Sequence, residues 1–368
     1  MLVFFFHAAP EAPTDAQVTW LKWPVRLAQQ GYLGVSIFFV LSGFLIAMRN
    51  FDRVELTGNW MRRYLQNRFA RIYPLYFLLT VFAFIVMLLH PFHTWYEWPA
   101  TADGRDKAIA ILLNLSLVRA YFNDLVFVGV PTAWTLTIEE TFYLSAPFLL
   151  LGLRRSVRWL YIYPVLLVLI GALLVLACTH WLPYYGLMAS LTMMLSDTFF
   201  GRCVEFLAGM GLAWWVRKHP VSRSASKGAS ATILGSAGIL VCALLLLALE
   251  RGLATDSLLS LCANKLINNV VLPIPIVALL WGLMQERTWL RHALESGTAQ
   301  LLGKSSYAFY LIHLGAIDTI FMAYVTDNVV ARLGAYIVLS ILLYKWVEHP
   351  LQKFLRAPTK KPSLVVSA

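Results

Sequence analysis

At 368 residues, with 59% hydrophobic and only 13% charged side chains, the chain lies far from the roughly 45–50% and about 25% of soluble globular proteins. So few charges cannot keep a chain of this size dispersed in water. Aromatic content of 14% and only four cysteines exclude a disordered tract and a disulfide-stapled secreted domain. The formal net charge of +11 would point to nucleic acid in a soluble protein, so its placement along the chain has to decide.

A spanning helix needs about 20 mainly apolar residues. The chain opens on Met1-Leu-Val-Phe-Phe-Phe-His7, which is apolar but too short to cross and lacks the basic start of a signal peptide. It reads as the second half of a truncated first span. Complete spans are predicted at 32–48, 72–90, 134–153, 159–179, 198–216, 229–249, 258–284, 305–324 and 332–347. The fold class is therefore all-α, a polytopic transmembrane helix bundle of about ten spans. Segment 258–284 contains Asn264, Lys265, Asn268, Asn269, Pro273 and Pro275, so a kink or break is expected there. Segment 107–118 is too short to span and is expected to pack on the bundle or at the interface. Cys178, Cys203, Cys242 and Cys262 lie in apolar stretches without C-x-x-C spacing; they read as small core hydrophobes, and no metal site is expected.

Twenty-one of the 30 Lys and Arg fall on one set of alternate connections: Arg49–Arg71, Arg154–Arg158, Arg217–Lys227, Arg287–Lys304 and Lys345–Lys361. Eight fall on the other side: Lys22, Arg26, Arg105, Lys107, Arg119, Arg251, Lys265 and Arg332. By the positive-inside rule the first set and the C-terminus are cytoplasmic. The basic excess is thus topological, and no nucleic-acid partner is expected. The organisation reads as one transmembrane domain over 1–350 and a basic cytoplasmic tail over 351–368.

Ionisable groups inside spans are costly, and each is a candidate for function. His7 ends the first segment on the outer side, where an imidazole serves as base or nucleophile, or as a hydrogen-bonded interfacial group. Glu139 and Glu140 open the fourth span about 100° apart on the helix, so at most one faces a given site. Glu139 shares a stripe with Thr135, Phe142 and Ala146 and could orient His7, accept from a substrate hydroxyl, or pair with Arg or Tyr for folding. Arg68 and Arg71, at i and i+3 on entry to the third span, suit bidentate phosphate contacts or anchor the helix in the cytoplasm. In Lys304-Ser-Ser306-Tyr-Ala-Phe-Tyr310-Leu-Ile-His313, Ser306, Tyr310 and His313 share a face. His313 there needs a polar partner or a water-filled cavity. Arg202 and Glu205 read as a mutually neutralising pair, and no partner for Asp318 is evident.

In chain order, several motifs resemble the membrane acyltransferase-3 family. They are His7, Gly34-Val-Ser-Ile-Phe-Phe-Val-Leu-Ser42-Gly43-Phe-Leu-Ile, Arg68-x-x-Arg71-Ile-Tyr-Pro74, Trp134-x-Leu-x-x-Glu139-x-x-Phe142-Tyr143, Ser306-Tyr307-x-x-Tyr310-Leu-Ile-His313 and Glu348-His-Pro350. The resemblance implies ten helices in a bacterial inner membrane and a cytoplasmic acyl-CoA donor, most often acetyl-CoA. It also implies transfer to a sugar hydroxyl of an extracytoplasmic or surface polysaccharide such as lipopolysaccharide, on a glycan or lipid-linked acceptor. By this reading His7 and Glu139 are catalytic, Arg68, Arg71 and Lys304 hold CoA phosphates, and Tyr310 and His313 line the donor channel. A basic inner mouth and a broken eighth helix also fit a transporter or flippase of a polar lipid or glycan. Against that, the two halves show no inverted repeat.

Overall fold

The computed structural model describes residues 1–8, 25–92, 94–219, 228–252 and 258–357. Lys22, Arg223, Lys227, Lys360 and Lys361, used above for topology, lie outside these, as does the tail from 358 onward. All nine complete segments read from hydropathy are helical, and among the described residues there is no strand beyond an isolated bridge between Phe122 and Leu187. The protein is an all-α polytopic bundle. Among the described residues seven helices are long and apolar enough to cross a membrane, or eight with a bent pair counted as one span.

Two further segments fail that test for different physical reasons. The first helix, α1 (Leu2–Ala8), is only 7 residues long. Helix α8 (Phe199–Lys218) is 20 residues long but carries Arg202 and Glu205 on buried positions. It tolerates them because its neighbours shield it from lipid. Its closest partner is α2 (Leu33–Asn50). A Cβ at Gly43 would lie 2.1 Å from the Phe206 carbonyl oxygen, and one at Gly209 would lie 1.9 Å from that of Val40. The two backbones touch, as small residues allow when membrane helices associate by packing. Phe206 stacks on Phe39 at 4.6 Å and on Phe142 at 4.3 Å. This aromatic ladder ties α2 and α8 to α5 (Trp134–Arg155).

The third helix, α3 (Gly58–Leu89, 32 residues), starts well before the expected apolar stretch, with Thr57 capping it by accepting from the Trp60 N–H. Arg62, Arg63, Arg68 and Arg71 therefore ride on a helical extension continuous with the span, whereas hydropathy alone assigned them to a connection. Between α3 and α5 lies α4 (Gly104–Leu115), closed by an Asp103–Asp106 capping box. The long connection between α3 and α5 folds over the bundle around Arg119. That side chain is fully buried and donates to Asn114 Oδ1 and to the Val128 and Val130 carbonyls. The sequence places Arg119 in a connection on the less basic side, and its side chain is an internal clamp.

After α6 (Trp159–Trp181) and α7 (Leu191–Asp197), helix α9 (Ser230–Gly252) begins against Glu286. Burial opposes the Glu286 charge. Hydrogen bonds from the Thr232 side chain and from the Ala231 and Thr232 N–H groups outweigh it and hold this carboxyl below its usual range. The expected break in segment 258–284 is a π-helical turn, Ile267–Val271, between α10 (Leu258–Leu266) and α11 (Pro273–Gln285). Among the cysteines, Cys262 is exposed on α10 and the other three are buried.

Past α12 (Trp289–Glu295) the expected span 305–324 is two helices, α13 (Gly297–Ile312) and α14 (Ala316–Tyr324), bent by 80°. Gly315, with φ +100°, makes the corner, and a Cβ there would meet the Pro131 ring at 2.7 Å. The bend delivers Asp318 to Arg332 and Tyr336 of α15 (Val329–Leu343), both of which donate to it. Asp318 thus has a partner 14 residues away that no sequence periodicity links to it. A second π turn, Tyr344–Glu348, leads into α16 (His349–Leu355).

Candidate active site

A cavity of about 1070 Å³ opens at the end of the bundle where α2 finishes, and it runs along α2 from Arg49 to Phe38, about 16 Å at 1.5 Å per residue. Six arginines line it: Arg49, Arg53, Arg68, Arg71, Arg217 and Arg356. Arg71 is paired with Glu348 at 2.6 Å, and Arg217 with Asp52. Among the described residues the other four form no ion pair. The cavity therefore holds a surplus of fixed positive charge that an anion can neutralise.

Two of these arginines are set by the long reach of α3. Arg68 lies over the rings of Tyr64 and Tyr143, at 5.8 and 5.6 Å, and its Nε has no partner among the described residues. Arg71 lies over Tyr307, whose hydroxyl donates to the Ile72 carbonyl. The π turn that places Glu348 explains its pairing with Arg71, since π turns re-aim a side chain within a continuous helix.

At the deep side of the cavity is Glu139, which is buried. It accepts from Ser42 Oγ at 3.0 Å and from the Tyr143 hydroxyl one helical turn away. Neither partner is His7. Glu140, its neighbour, lies outside the cavity lining.

His7 lies toward the other end of α2. Helix α1 packs on the start of α2, where a Cβ on Gly31 would lie 2.1 Å from the Leu2 carbonyl oxygen. Ser42 is eight residues past Gly34, which also faces α1, so Glu139 and the α1 contact are separated by about 12 Å along that helix. His7 is exposed. Its ring lies 5.7 Å from that of His313, which is buried at the α13–α14 corner. His313 Nδ1 donates to the Tyr310 carbonyl at 2.8 Å. The Tyr310 hydroxyl is bonded to the Thr132 carbonyl at 2.9 Å and Thr135 Oγ1 at 3.0 Å.

Of the residues singled out from sequence, Arg68, Arg71 and Glu139 meet in one cavity. His7 and His313 meet at the opposite end, with Tyr310 behind them. Lys304 stands exposed on α13, outside the cavity lining. Arg49, Arg53, Arg217 and Arg356 were read only as topological charges, and their side of the membrane was the one signal available for them. Arg202 and Glu205 form a bidentate pair at 2.6 and 2.7 Å, with Ser36 donated to as well.

The bundle thus separates a cationic cavity from a histidine pair made of exposed His7 and buried His313. Comparison with known proteins gives the family. Residues 1–344 match the acyltransferase-3 family, described as an acyltransferase domain, so the chain belongs to that family, here as a multi-pass membrane protein. It is 26% identical over 360 residues to peptidoglycan O-acetyltransferase OatA of Listeria monocytogenes, covering 89% of this chain and 52% of that protein. It is 24% identical over 369 residues to SACOL0978 of Staphylococcus aureus strain COL, covering 91% of this chain and 55% of the relative. A shorter match, 30% over 127 residues, links it to acyltransferase MdmB of Streptomyces mycarofaciens, over 33% of this chain and 29% of that one. The chain spans about half the length of the first two relatives. No solved structure matches it.

Proposed function

We propose that residues 1–350 form one catalytic unit that moves an acetyl group from cytoplasmic acetyl-CoA to a sugar hydroxyl of an extracytoplasmic or surface polysaccharide, across a bacterial inner membrane. The observation that carries this reading is the surplus of unpaired arginines in the cavity behind Glu139. A nucleoside bisphosphate bearing a long, thin acyl-thioester arm has its charge at one end and its reactive carbon at the other. Arg68 and Arg71, with Arg49, Arg53 and Arg356 at the mouth, hold the phosphates, since guanidinium forks match phosphate oxygens. The arm extends along α2 past Ser42 and Glu139 toward the outer end. The positive-inside bias supports a cytoplasmic mouth and a cytoplasmic basic tail over 351–368.

At the outer end His7 is the general base. It takes the proton of the acceptor hydroxyl as that oxygen bonds to the thioester carbon. Collapse of the adduct breaks the C–S bond, and the proton passes to the leaving thiolate. The products are an O-acetyl sugar and CoA with its thiol, so atoms and charge balance. Glu139, held by Ser42 and Tyr143, positions the arm in the cavity. Its partners set it apart from the role of orienting His7.

The test is binding of radiolabelled acetyl-CoA to the purified protein, followed by mass spectrometry of surface glycans from a deletion strain. Saturable binding and loss of acetyl groups are expected. A flippase has no reason to bind acetyl-CoA, so absence of binding would reject the proposal in favour of transport.

A further inference from the structure

His313 has an unusual hydrogen-bond account. Its Nδ1 carries the proton, because that nitrogen faces the Tyr310 carbonyl at 2.8 Å and a carbonyl only accepts. In a neutral imidazole the other nitrogen is then a bare acceptor. That atom, Nε2, is buried and has no partner among the described residues. Buried polar atoms are nearly always paired, so each exception calls for a physical explanation. The rings around His313 are those of Phe4 at 6.4 Å, Phe309 at 5.8 Å, Tyr310 at 5.7 Å and His7 at 5.7 Å. The two phenylalanines have nothing to donate, and the Tyr310 hydroxyl is committed to Thr132 and Thr135. His7 is the remaining polar ring. Two imidazoles joined by an N–H···N bond have centroids about 5.2 Å apart, so a small ring rotation closes the gap.

We infer that His313 is a positioning residue for the transfer: its Nε2 accepts the ring N–H of His7 and so turns the lone pair of the other His7 nitrogen toward the acceptor hydroxyl. This rests on the reading of His7 as the base. The logic is that of any base held by a third group, which fixes tautomer and orientation and does not itself take up the substrate proton. A neutral partner suits this place, because a carboxylate at the same depth would need its own counter-charge. The 80° corner between α13 and α14 has a purpose on this account. It ends α13 at Ile312, so His313 stands at the helix terminus with its ring against α1 and its Nδ1 on the carbonyl of the last turn.

The experiment follows transfer of label from [14C]acetyl-CoA to glycan in membrane vesicles containing the full chain. Four variants are compared at equal amounts of monodisperse protein: His7→Ala, His313→Phe, His313→Gln and His313→Asn. His313→Phe keeps a ring and removes the acceptor; its kcat is expected to fall about 10²-fold with an unchanged KM for acetyl-CoA. His313→Gln offers an acceptor oxygen at similar reach and is expected to recover about tenfold of that loss. His313→Asn has the same chemistry but falls short of His7, and it should stay low. If His313→Phe does not accumulate, the Gln-against-Asn comparison alone decides. A wild-type kcat in His313→Phe, or equal rates in the Gln and Asn variants, overturns the inference while an inactive His7→Ala leaves the base assignment standing. An active His7→Ala removes the base assignment itself, and with it the role of His313.

Discussion

Arg68 and Arg71 are one helical turn apart, yet the structure predicts different consequences for losing each. Among the described residues Arg68 forms no ion pair and its Nε is unpartnered; its guanidinium lies over Tyr64 and Tyr143. Arg68→Ala breaks no ion pair among the described residues, so the fold is expected to survive it. On the proposed donor site, what disappears is one charge-assisted contact to a donor phosphate, about 1.5–3 kcal/mol, or roughly 10- to 100-fold in the KM for acetyl-CoA. Arg71 is different. It neutralises Glu348, whose side chain is only 2% exposed, so Arg71→Ala strands a buried carboxylate and should lower the melting temperature as well as donor affinity. Adding Glu348→Gln to Arg71→Ala removes the stranded charge and should restore part of the stability but none of the affinity. Initial rates over a range of acetyl-CoA, paired with thermal unfolding in detergent, separate the two effects. An unchanged KM in a folded Arg68→Ala protein would refute the assignment of the cavity to the donor phosphates.

Other expectations follow from single contacts. Arg119→Met leaves the Asn114 side-chain oxygen and two backbone carbonyls without their buried donor, at about 1–3 kcal/mol for each group left unsatisfied; it should sharply reduce the yield of folded protein, measured by fluorescence-detected size exclusion. Gly43→Leu forces α2 away from α8 and should abolish activity and accumulation together, whereas Gly58→Leu, where an added Cβ meets nothing within 4 Å, should do neither. Glu286 is held below its usual range, so the stability it confers is present above the unfolded carboxylate pKa and is lost as pH falls through the folded value. Glu286→Gln should therefore melt earlier than wild type at neutral pH, with the difference closing on acidification. Single cysteines at Ser226 and Tyr185, in a background without the native four, should be labelled from opposite faces of the membrane; labelling of both from one face would reject the assigned orientation.

Hydropathy by itself determined the class and the helical segments, and Lys/Arg placement put the cavity's arginines in one set of alternate connections. Those properties follow from the solvent: lipid demands long apolar helices, and the membrane's asymmetry sorts cations. The motif order likewise determined the family and brought His7, Arg68, Arg71, Glu139 and His313 forward one by one. Tertiary structure decided which of them meet. Glu139 could be assigned to His7 on the sequence, because linear order holds no information on depth; packing of α1 on the start of α2 and of Ser42 against Glu139 puts about two to three helical turns between them. His313 came from a segment that reads as one span, 305–324. Only the close fit of Gly315 against Pro131, two residues 184 positions apart in the chain, turns the helix there and brings a buried imidazole to His7. Arg119, Arg332 and Asp318 show the same limit, since a charge counted at a loop or span end is solvated or internal according to neighbours that only the folded chain supplies.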